Sequence, residues 1–237
     1  MKRINLLKKL ENYPVFTNKT ARDITGKGPD YIKLLIHRLK KEGLVHEIEK
    51  NKYSTHEDSL LVASNLVWPS YLSCWTALRF HNLTEQIPTG IFVITTRSRK
   101  KRRLRFENTD IIFIKINKKY FFGYKKETYA GFTIFMAEPE KALIDSALFK
   151  KISFSELFDI LKSNKEKINI DILISYLLKT RKKSLIKRFG FALDELGLDY
   201  SSKFNKFIDN KYLLLDYAFI KTGDKDEKWK VIKNFKP

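Results

Sequence analysis

A single cysteine, Cys74, leaves no partner for an internal disulfide and nothing from which to build a multi-cysteine zinc site. A reducing cytoplasm is therefore the expected location. The four histidines, His37, His46, His56 and His81, follow no metal-ligand spacing, and the nine glycines form no phosphate-cradling loop. There is no uncharged apolar run of membrane-spanning length. The start, Met1-Lys2-Arg3-Ile4-Asn5-Leu6-Leu7-Lys8-Lys9, opens like a signal peptide, but Lys8-Lys9 interrupts its apolar stretch, so the chain is expected to be soluble and intracellular. Negative charge is also scarce. Against 47 Lys and Arg stand 27 Asp and Glu, a net charge of +20, which favours a polyanionic partner unless a basic proteome alone accounts for it.

The excess is clustered. Seven of the nine residues from Arg97 to Arg105 are basic, and residues 1–56 hold 13 basic and 6 acidic side chains. Within those first 56 residues a pattern of elements stands out. Ile4, Leu7 and Leu10 line one face of a short first helix. A second helix spans Phe16 to Ile24, with Thr17 as its N-cap, and Gly26-Lys27-Gly28 makes a turn. Pro29 suits the first helical position of a third helix, in which Ile32, Leu35, Ile36 and Leu39 recur at helical spacing up to Gly43. Leu44–Glu49 and Lys52–Thr55 then alternate as two strands around Lys50-Asn51. Three helices closed by a basic hairpin read as a winged helix-turn-helix, which places its third helix in the DNA major groove and its wing on the backbone.

Opposite the apolar stripe of that third helix lie Asp30, Leu34, His37 and Lys41, flanked by Lys33 and Arg38. Tyr31, Lys33, Leu34, His37 and Arg38 are the candidates for base or near-base contact: Arg38 suits guanine and Leu34 a thymine methyl. Lys41 completes the face. Lys27 in the turn, with Lys50 and Lys52 in the wing, suits phosphates, which set register without reading sequence. In the basic run Arg97, Arg99, Lys100, Lys101, Arg102, Arg103 and Arg105 repel one another, so an extended, solvated loop is expected unless an anion gathers it. The plainer reading makes all of these solvated surface charge, and a winged helix can equally serve as a protein-interaction module.

After residue 57 the chain becomes rich in apolar and aromatic residues. Helices are expected over Asp58–Val67, over Tyr71–His81 capped by Ser70, from Pro139 through Ala147, and over roughly 154–163, 169–180 and 183–196. Ile91–Thr96, Ile111–Ile116 and Phe132–Met136 read as strands. The tail from Lys221 through Gly223-Asp224-Lys225-Asp226-Glu227 reads as polar and irregular. The aromatics Tyr120, Phe121, Phe122 and Tyr124 suit either a core edge or an exposed partner patch.

Several ordered motifs here resemble one family. Tyr71-Leu72-Ser73-Cys74-Trp75-Thr76-Ala77-Leu78 is followed by Leu83-Thr84-Glu85-Gln86-Ile87-Pro88 and Phe92-Val93-Ile94-Thr95-Thr96. Then come the Arg97–Arg105 run, Tyr120-Phe121-Phe122-Gly123 and Ala137-Glu138-Pro139-Glu140-Lys141-Ala142-Leu143-Ile144-Asp145. Together, behind a winged helix, they resemble the AbiEi antitoxins of the abortive-infection type IV toxin–antitoxin systems, over about residues 10–198. The resemblance implies a transcriptional autorepressor on inverted repeats of operator DNA. It also implies a nucleotidyltransferase toxin as functional partner, countered without a stable complex. The chain after Ser201 has no counterpart in the resemblance.

Catalytic constellations are sparse. Cys74, in an apolar helix, reads as core rather than nucleophile. Glu138-Pro139-Glu140-Lys141 suits a helix opening in which acidic residues meet the positive end of the dipole, and Lys141 and Asp145 are spaced to pair on the surface. A competing reading gathers Asp110, Glu138 or Glu140, and Lys141 into a Mg²⁺-dependent nuclease site. Asp224-Lys225-Asp226 has the Asp-x-Asp form of metal-binding nucleotidyltransferases but lacks the upstream Gly-Ser and sits in an expected loop. The favoured expectation is an α+β protein, with a winged helix-turn-helix domain over 1–56 and a larger mixed domain over 57–237 holding a small sheet and a helical C-terminal part. It would be a non-enzymatic repressor and antitoxin without cofactor, cytoplasmic, a monomer or weak dimer that binds DNA cooperatively. The alternatives are the nuclease and an interaction module that neutralises a toxin by direct contact.

Overall fold

The computed structural model describes residues 3–220 and 222–235; Met1 and Lys2 of the signal-like start and Lys221 of the tail lie outside the described residues. The chain is mixed α+β and divides into two compact units. The first comprises Met1–Tyr71, Thr89–Lys115 and Lys126–Phe135, and the second Leu72–Pro88, Ile116–Lys125 and Met136–Pro237.

Local chemistry explains the start of the first unit. Helix α1 spans Arg3–Leu10. Helix α2, Asn18–Thr25, begins at Thr17, whose hydroxyl accepts from the Thr20 N–H, while the Thr20 hydroxyl returns a bond to the Thr17 N–H. Gly26, at φ +68°, closes α2 in the left-handed conformation that suits glycine. Helix α3, Pro29–Lys41, starts with proline at the position where a missing N–H costs nothing. Strands β1, His46–Glu49, and β2, Lys52–Ser54, pair antiparallel around Asn51. Phe16 and Tyr53 exchange backbone hydrogen bonds of 2.8 and 2.9 Å, anchoring the hairpin to the start of α2.

Leu6, Leu10, Phe16, Ala21, Ile32, Ile36, Leu39, Val45 and Tyr53 form one buried cluster. Burying an aliphatic side chain of this size contributes about 1.5–3 kcal/mol. The inward face of α1 differs from the sequence expectation: Leu6 is buried, while Ile4 is exposed. With only eight residues, α1 carries too few apolar positions for periodicity to fix its phase.

Helix α4, Ser59–Asn65, is capped by the Asp58 carboxylate, which accepts from two N–H groups. Strand β3 is Ser70–Leu72, and helix α5, in the second unit, is Trp75–Phe80. The expected helix from Tyr71 capped by Ser70 is thus corrected. Ser70, Tyr71 and Leu72 are strand, and Cys74, at φ +54°, turns the chain so that helix starts only at Trp75. Strands β4, Gly90–Thr95, β5, Arg103–Phe106, and β6, Thr109–Lys115, follow in the first unit. β4 runs parallel to β6 and β5 antiparallel to it. With β7, Tyr124–Tyr129, and β8, Phe132–Ala137, the strands run in the order β5-β6-β4-β3-β8-β7.

The second unit continues with helices α6, Pro139–Leu148, α7, Phe154–Ser163, α8, Ile170–Thr180, α9, Lys183–Glu195, and α10, Ser201–Phe204. Strands β9, Leu213–Leu214, β10, Asp224–Asp226, and β11, Val231–Lys233, form a three-stranded sheet in the order β10-β11-β9. This corrects the irregular tail. Trp229 is fully buried and its indole N–H donates to Asp194 Oδ2 at 2.7 Å, so the polar composition of 221–227 conceals a packed anchor two residues on. Asp224-Lys225-Asp226 is likewise a strand and not a loop.

Candidate nucleic-acid interface

On α3 the apolar stripe Ile32, Ile36 and Leu39 turns inward, leaving Tyr31, Lys33, Leu34, His37, Arg38 and Lys41 exposed. Two of these are large and apolar: Tyr31 is 54% exposed and Leu34 50%. Lys33 Nζ lies 3.6 Å from Asp30, with both side chains in solvent. Tyr31 and Arg38, with Lys27 from the preceding turn and Arg3 from α1, line a cleft of about 200 Å³. Arg3 pairs there with Glu42.

The two hairpin lysines differ. Lys50 is exposed at the tip of the hairpin. Lys52 donates to the Leu66 carbonyl at 2.6 Å and lies 2.8 Å from Glu49 Oε1, so its charge is already engaged within the unit. Glu49 binds a second cation: Arg99 Nη2 is 2.6 Å from its Oε2. Burial pushes the Glu49 carboxyl up, but hydrogen bonds from Lys52 and Arg99 outweigh it and hold the group below the usual glutamate range.

The basic run is not the free loop that self-repulsion suggests. Arg103, Leu104 and Arg105 belong to β5, paired with Ile112, Ile111 and Asp110 of β6. Arg103 forms an ion pair with Asp110, which holds the aspartate low. Arg99 is drawn inward, its guanidinium 4.0 Å from the centre of the Phe113 ring and its side chain only 12% exposed. Arg97, Lys100, Lys101, Arg102 and Arg105 are exposed, and Arg97 Nε is 3.4 Å from the Trp68 carbonyl. Two carboxylates, one of them 50 positions from its partner, and an aromatic face order a segment whose composition alone predicts extension.

Sequence reasoning missed Glu49, Phe113 and Lys115. Parallel pairing sets Lys115 opposite Thr95, beside the start of the basic run, and its ammonium donates to Ser98 Oγ at 2.6 Å. That register is a long-range property which no local spacing announces.

The residues weighed for nuclease chemistry have structural partners. Asp110 is paired with Arg103. Glu138 lies 2.6 Å from Lys125 Nζ and accepts from the Tyr176 hydroxyl, and Glu140 accepts the Asn169 N–H at 2.7 Å. Lys141 and Asp145 pair not on the surface, as their spacing suggests, but in full burial on α6, where Ser73 Oγ also donates to Asp145 at 2.9 Å. Among the described residues no group of three or more His, Cys, Asp or Glu is placed to hold a metal ion. Cys74 is fully buried, which pushes its thiol well above the usual range. Tyr120, Phe121, Phe122 and Tyr124 are half-buried, Phe122 packing edge-on against Tyr176 at 5.2 Å. Among the described residues no helix is long and apolar enough to cross a membrane.

Compared with known proteins, the chain matches no family model and no curated protein.

Proposed function

We propose that the chain is a sequence-specific DNA-binding repressor whose residues 1–56 act as a winged helix-turn-helix. The observation that carries this reading is the outward face of α3, where uncovered Tyr31 and Leu34 sit among Lys33, His37, Arg38 and Lys41. Exposed apolar side chains set among cations suit a major groove, which offers thymine methyls and guanine acceptors to the same helix. Lys27, Lys50 and the exposed members of the 97–105 run then lie in the same unit and meet phosphates.

The motif resemblance to AbiEi antitoxins extends the reading. The repressor occupies inverted repeats in its own promoter and opposes a nucleotidyltransferase toxin in the cytoplasm without forming a stable complex with it. Repression is steric, since a protein in the groove excludes polymerase. Nuclease footprinting of the DNA upstream of its own gene tests this. Two protected half-sites in inverted orientation are expected; uniform, salt-sensitive protection without boundaries would overturn it.

A further inference from the structure

Beside β4 and β6 the basic run encloses a small pocket of about 50 Å³, lined by Thr95, Arg97, Ser98, Arg99, Arg102, Phe113 and Lys115. Four of these seven are cations, and no carboxylate lines the pocket. Glu49 reaches only Arg99, through Nη2, and is shared with Lys52. Phe113 stacks on the guanidinium plane of Arg99, while Lys115 is steered by its bond to Ser98. Most telling is Arg99 Nε, a buried donor with no hydrogen-bond partner among the described residues. A buried guanidinium N–H left unpaired is destabilising, and an anion accepting from it removes that cost.

We propose that this pocket binds a single phosphoryl group, with Arg99 Nε as the inner donor and Arg97, Arg102 and Lys115 closing around the oxygens. The pocket has room for a tetrahedral oxyanion. Guanidinium forks match phosphate oxygens, and four cations gathered without a lining carboxylate repel one another until an anion enters. The proposal does not depend on sequence-specific DNA binding: the phosphoryl group can belong to a DNA backbone, a 5′ end or a small phosphate.

The test is thermal unfolding of the full chain in increasing inorganic phosphate, with ionic strength held constant by chloride. A specific site raises Tm along a saturating curve, whereas exclusion of phosphate from the surface raises it without saturation. Arg102→Gln and Lys115→Gln, both at exposed positions, should each weaken the apparent phosphate affinity about fivefold or more. Lys126→Gln with Lys165→Gln removes two charges from exposed positions outside the pocket and should leave the curve unchanged. Competition then identifies the source. Displacement by any duplex indicates a backbone phosphate, displacement only by a 5′-phosphorylated oligonucleotide a terminal one, and displacement by neither a free anion. A non-saturating rise, or a saturating one identical in the Arg102 and Lys115 variants, overturns the proposal. Preference for the operator over a scrambled duplex is read separately, so either reading can fail alone.

Discussion

Arg99 Nη2 lies 2.6 Å from Glu49 Oε2, although 50 positions separate the two residues. The contact joins the β1–β2 hairpin to the basic run, and both side chains are mostly buried, at 12% and 24% exposed. Glu49→Gln removes the charge while keeping the shape. Weakening charge-assisted bonds to two cations should cost about 1–3 kcal/mol. Because the folded-state carboxyl sits below its unfolded value, the stabilisation is present above the unfolded pKa, about 4.3, and is lost as pH falls through the folded value. Urea unfolding at a series of pH values should show the wild type losing its advantage over Glu49→Gln as pH falls below the unfolded glutamate value, about 4.3.

The two hairpin lysines should separate by assay. Lys50→Ala removes an exposed charge and should lower the salt slope of DNA binding by about 0.9 with little change in Tm. Lys52→Ala, which loses bonds to Glu49 and the Leu66 carbonyl, should lower Tm and change the slope less. Equal slopes for the two variants would count against the assignment of Lys50 to a phosphate.

Lys141 and Asp145 are a buried ion pair, so single and double changes should differ in magnitude. Asp145→Leu strands a buried ammonium and should cost about 3–5 kcal/mol, whereas Lys141→Met with Asp145→Leu should recover most of it. Denaturant unfolding of the two variants beside the wild type measures the difference. Were these groups catalytic, the wild type would cleave DNA and the double variant would be stable but inactive; no cleavage is expected from the wild type or either variant.

Gly190 lies in α9 directly beneath the Trp229 ring, and a Cβ there would overlap the indole. Gly190→Ala should therefore destabilise the fold by about 1–3 kcal/mol and expose Trp229, shifting its fluorescence to the red. An unchanged spectrum would mean that the C-terminal sheet does not pack on α9.

What the sequence made legible follows from how local each signal is. Thr17, Gly26, Pro29 and Gly43 punctuate helices through bonds within a few residues, and the expected helices and strands there match those observed within a residue or two. Tyr71 and Leu72 suit a helix capped by Ser70 because a short apolar run next to Trp75 fits helical spacing, and only the turn of the backbone at Cys74 makes Ser70–Leu72 a strand. The depth of Lys141–Asp145 was hidden because α6 is covered nearly all round, from Glu140 to Ala147, so no polar face marks it. The inward turn of Arg99 and the approach of Lys115 depend on partners in other strands. The exposed face of α3 was readable from periodicity alone, since its stripe is continuous.

The most direct test of the central claim is fluorescence-anisotropy binding to the duplex upstream of the gene against a scrambled duplex, from low to physiological salt. A preference of about a thousandfold or more is expected at physiological salt, reduced roughly tenfold or more by Arg38→Ala. Equal affinity for both duplexes at every salt concentration, unchanged in ratio by Arg38→Ala, would contradict it and leave the net positive charge as the whole cause of binding.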